Sequence, residues 1–92
     1  MATTGRDQRR EDRSARAVGL FGPTSAAALD ALELMDLAWH DCYGETSPPE
    51  QVLEDVWVVS DGDLAQLVSA ARLAVIDFRD LRLIANARRA AP

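Results

Sequence analysis

The sequence predicts an all-α fold, a small three-helix bundle in which two shorter helices pack on a long C-terminal helix after a flexible N-terminal tail. Three observations point there. Apolar residues recur at intervals of three and four through residues 25–43 and 61–88. Between residues 25 and 91, glycine and proline occur only at Gly44, Pro48, Pro49 and Gly62, where helices would end or begin. The 92 residues, 48% hydrophobic and 27% charged, suffice for one modest core and no second domain.

Residues 1–19 are polar, rich in arginine and without a sustained apolar period, so they read as a disordered tail ahead of a single helical domain over 20–92. Leu20 and Phe21 form a hydrophobic lead-in before Gly22 and Pro23. Thr24 or Ser25 can then cap a first helix over about 25–43, which stops at Gly44. On a wheel of 100° per residue, Ala28, Ala31, Leu32, Met35, Ala38, Trp39 and Cys42 share its core face. Asp30, Glu33, Asp36, His40 and Asp41 gather opposite, with Leu29 and Leu37 among them.

Ser47-Pro48-Pro49-Glu50 has the form of a capping box and predicts a second helix over about 48–59. Its run Val56-Trp57-Val58-Val59 is rich in strand formers, which makes a short extended segment the competing expectation. Ser60, followed by Asp61 and Asp63, predicts the N-cap of a third helix over about 61–88. Along that helix Leu64, Leu67, Val68, Ala71, Ala74, Val75, Phe78, Leu81 and Ala85 form a near-heptad stripe. A weaker strip of Ala65, Leu73, Ile76, Leu83, Ile84 and Ala87 lies on the far side and calls for a cover, either the lead-in segment or another chain.

Charge divides along the same boundaries. The net charge is −5. Residues 1–22 carry +2, residues 23–71 carry −10 with no lysine or arginine, and residues 72–92 carry +3. Such a segregation asks what neutralises the middle. Arg72, Arg79 and Arg82 of the third helix are the intramolecular answer. A basic partner docking on Leu29, Asp30, Glu33, Asp36, Leu37 and Asp41 is the intermolecular one.

Catalytic and metal chemistry find little support. His40 and Cys42 lie about 200° apart on a helix and cannot form a nucleophile–base pair. Asp36 and His40 share a face and could offer two metal ligands, but the chain has no second histidine or cysteine to complete a site. Counting Asp61 as the first position of a calcium loop puts Arg72 where a glutamate is needed. No enzyme, cofactor, metal or small-molecule substrate is therefore expected. The tail arginines alternate with acids and lack aromatics, and the acidic body would repel DNA, which argues against nucleic acid. One cysteine and no long apolar run fit a cytoplasmic protein without a membrane span.

What remains is a non-enzymatic protein-interaction module, self-associating as a homodimer through Leu73, Ile76 and Leu83 on the weaker strip. The alternative is an acidic inhibitor or nucleic-acid mimic that binds a basic protein with the α-helical carboxylates. A third and weaker reading is a metal-responsive domain using Asp36 and His40.

Overall fold

A computed structural model describes residues 5–91, which are mostly helical with no strand among them. Four α-helices follow in order: α1 Gly5–Phe21, α2 Ser25–Tyr43, α3 Glu50–Ser60 and α4 Leu64–Ala90, with a 3₁₀ turn at Gly22–Thr24 between the first two. The all-α expectation holds, and no helix of the described residues is long and apolar enough to cross a membrane.

The largest departure from expectation is α1, since the segment read as a disordered tail is a 17-residue helix from Gly5 onward. Residues 1–4 of that expected tail lie outside the described residues. The reason for the departure is legible in the burial pattern. Arg13, Ala17 and Phe21 are buried, with Arg9, Arg10 and Ser14 half-buried, so the inward stripe does have helical spacing. Arginines hold the positions where a hydropathy period would need leucines.

The remaining boundaries shift for local reasons. α2 ends as expected, with Gly44 left-handed at φ 78° and its N–H donating to the His40 carbonyl. Neither Thr24 nor Ser25 caps it through a side chain; the Thr24 hydroxyl donates to the Phe21 carbonyl instead. The capping box at Ser47 does not form. Pro48 precedes a proline and is excluded from the helical region, so α3 starts only at Glu50, with Pro49 as its cap. The Val56–Val59 run is helical rather than extended, because α3 is covered on two sides and can bury Val56, Trp57 and Val59 together. Ser60 belongs to α3 and donates its hydroxyl to the Trp57 carbonyl. Asp61 and Gly62 turn through the left-handed region, and the true cap of α4 is Asp63, which accepts from the Gln66 N–H at 2.9 Å. A Cβ at Gly62 would stand 2.8 Å from the Leu20 carbonyl oxygen, so this turn is also where the end of α1 seats.

α4 is not one unbroken rod. Asp77 has φ −157° and ψ 88°, and its carboxylate accepts from the Arg79 and Asp80 N–H groups, as a helix cap does. That frees the Val75 carbonyl, which would otherwise accept from Arg79, and the Tyr43 hydroxyl donates to it at 2.9 Å. Trp39, Tyr43 and Phe78 pack around the kink at ring separations of 4.2–6.3 Å.

The core joins Leu32, Met35 and Trp39 of α2, Val52, Val56 and Val59 of α3, and Leu67, Ala74, Leu81 and Ala85 of α4. Cys42, expected on the core face, is exposed. The α2 stripe is covered only as far as Trp39, after which Tyr43 turns to the kink. The molecule measures 46 × 31 × 18 Å, and its least dimension is about two helix diameters, so α4 can bury one side only.

Candidate functional site

Two faces of α2 matter, and they have opposite chemistry. The first is the acidic one. Asp36 is 4% exposed, and both its oxygens are taken: Arg13 reaches them in a two-pronged contact at 2.8 and 3.1 Å, and Arg9 adds a third bond at 3.2 Å. Arg10 bridges Asp30 and Glu33 at 2.8 and 3.1 Å. Those two carboxylates, the larger effect being the hydrogen bond to Asp30, raise its affinity for its proton. Arg16 holds both oxygens of Glu54 on α3 at 2.6 Å, with its guanidinium carbon 5.1 Å from the centre of the Trp57 ring. The bonds from Arg16 hold Glu54 below the usual carboxylate range, and Arg16 is raised in turn.

About half of the middle segment's carboxylates, Asp30, Glu33, Asp36, Glu54 and Asp55, are therefore paired within the chain, but mainly by the wrong end of it for the sequence-based expectation. α1 supplies most of the cations, and arginine in the folded body is not confined to the C-terminal helix. Of the three arginines expected from that helix, only Arg82 pairs, reaching Asp55 at 2.7 Å and Gln51 at 3.1 Å. Arg89 adds a 2.8 Å ionic contact to the other Asp55 oxygen, off the line a hydrogen bond requires. Arg72 and Arg79 pair with no acid among the described residues.

This placement corrects the expected partner surface. Leu29 and Asp36 are buried beneath α1 and cannot meet a partner while it is docked. Asp30 and Glu33 are engaged by Arg10. Leu37 and Asp41 are exposed. With both Asp36 oxygens held by guanidinium groups, a metal ion at Asp36 and His40 would have to displace them.

The second face is apolar. Leu34, Met35 and Ala38 of α2 and Val68, Val75 and Ile76 of α4 line an open groove of about 320 Å³, with Arg72 the single charged residue on its wall. Leu34 is 66% exposed, Val68 52% and Ile76 59%. Arg72 stands on the α4 rim. Asp41 lies two turns beyond Leu34 on the same side of α2, and neither it nor Arg72 takes part in an ion pair among the described residues.

Of the expected self-association residues, Ile76 lines this groove, Leu73 packs half-buried against the core, and Leu83 is 68% exposed beyond the kink. The alignment of Leu83 with Ile76 assumed an uninterrupted helix, and the non-helical Asp77 between them breaks it. Leu34 and Val68 were missed because the first stood outside every stripe on the α2 wheel and the second was assigned to the core. A wider cleft of about 560 Å³ holds Arg16, Arg88 and Arg89 beside Trp57. Its arginines are committed to Glu54, the Val59 carbonyl and Asp55 respectively, which leaves no guanidinium there for an anion. No protein-family model, curated protein or solved structure matches the chain.

Proposed function

We propose that the protein is a non-enzymatic helical interaction module that associates with a second copy of itself through the groove between α2 and the first half of α4. The exposure of Leu34, Val68 and Ile76 around one continuous apolar trough is the observation that carries this reading. A two-fold axis along the groove lays α2 of each copy over α4 of the other. The rim bearing Asp41 then meets the rim bearing Arg72, so charge and apolar surface are both self-complementary. The acidic-mimic reading is weaker, because the carboxylates it would use are already held by α1.

Sedimentation over a concentration series tests it. The wild-type chain should approach twice 10.0 kDa, and Ile76→Glu should return it to a monomer with an unchanged far-UV spectrum, since Ile76 is mostly exposed. A wild-type chain that stays monomeric at millimolar concentration would rule the reading out.

A further inference from the structure

We infer that the face covered by α1 is a docking site for arginine-bearing amphipathic helices of other proteins, with α1 as its built-in occupant. This surface is separate from the apolar groove and does not depend on self-association.

The face offers the carboxylates of Asp30, Glu33 and Asp36 from α2 and of Glu54 from α3, with the Trp57 ring beside the last. What it holds is a short chemical pattern on one side of a helix. Arg10 meets Asp30 and Glu33, Arg9 and Arg13 meet Asp36, and Arg16 meets Glu54. Ala17 and Phe21 supply the apolar anchors, the Phe21 ring lying 6.3 Å from Trp57. The other side of α1, including Glu11, Ala15 and Val18, is exposed and contributes nothing to recognition. Any helix that repeats those arginines and the two anchors meets the same donors and acceptors.

The face also demands a cation. Residues 23–71 contain no lysine or arginine, and the α4 arginines nearest in charge, Arg82 and Arg89, are already on Asp55. Without an occupant, four carboxylates would stand together on α2 and α3. α1 is the kind of occupant that can be exchanged. It joins α2 through the 3₁₀ turn at Gly22, whose φ is +52°, and its Arg10 and Arg16 pairs are partly open to solvent and so to screening. Being tethered, it competes at an effective concentration of roughly millimolar, which sets the threshold a foreign helix must pass.

The test uses the full chain and a labelled peptide that keeps Arg9, Arg10, Arg13, Arg16, Ala17 and Phe21 at their spacing on an alanine and glutamine background. A second peptide carries Arg16→Glu. Fluorescence anisotropy is read against the wild-type chain and against Glu54→Arg, a substitution at a half-exposed site that leaves the core untouched. The wild-type chain should prefer the first peptide by about fivefold and Glu54→Arg should prefer the second by about the same factor, both preferences shrinking with salt. Absence of binding to either chain, or a preference that does not reverse, would overturn the proposal.

Discussion

The interface of α1 with α2 and the interface of α3 with α4 perform the same task with different chemistry. α3 and α4 meet mainly through Val52, Val56, Val59, Leu67, Ala74 and Leu81, with Arg82 and Arg89 on Asp55 as the charged contact between them, so most of their attraction is non-directional and insensitive to salt. α1 meets the body through four arginines and only two apolar anchors, Ala17 and Phe21. Its attraction depends on geometry, is screened by ions, and fails wherever one partner is removed. The difference places a removable helix on a permanent platform.

Substitutions can break that contrast in graded steps. Leu67→Ala removes a fully buried side chain from the platform and should cost about 3–5 kcal/mol, lowering the thermal midpoint of every helix together. Asp36→Ala strands Arg13, which would cost a similar amount if it stayed buried. Detachment of α1 returns Arg13 to water and caps the loss at about 2–3 kcal/mol. Helical signal equivalent to α1 should therefore disappear while the near-UV signal of Trp39 persists. Gly62→Ala should cost about 1–2 kcal/mol through its left-handed backbone, and more as the new methyl displaces the Leu20 carbonyl and the end of α1 with it.

The smallest effect is pH-dependent. Because the folded-state pKa of Glu54 is depressed by the Arg16 bonds, its contribution is complete above the ordinary carboxylate value and is lost as the pH falls through the depressed one. The pair is nearly half-exposed, so the loss should stay below about 1 kcal/mol and vanish in Glu54→Gln, as an acid titration of α1 helicity would report.

The platform was far more legible in the sequence than its cover. The α2 boundaries followed from Gly44 and from a conventional apolar stripe, and the α4 stripe correctly identified Leu67, Ala71, Ala74, Leu81 and Ala85 as buried. Hydropathy could not reveal α1, because its inward positions are Arg10, Arg13 and Ser14 before they become Ala17 and Phe21. The signal that could have found it was electrostatic: arginines spaced by three, at 10 and 13, answer acids spaced by three, at 30, 33 and 36, and Arg16, a turn further on, answers Glu54. The kink at Asp77 was equally hidden, since an aspartate that caps from inside a helix looks like any solvated acid. The groove escaped because it is made by two helices, and neither Leu34 nor Val68 declares it alone.

Residue-resolved amide hydrogen exchange at low and at about 1 M salt tests the division between cover and platform most directly, since screening at the higher salt reaches within about 3 Å. The amides of residues 9–16 should be protected at low salt and lose that protection at least about tenfold at high salt, while those of α3 and the first half of α4 keep theirs. Equal protection of α1 at both salt concentrations, or none at either, would contradict a helix held in place by its arginines.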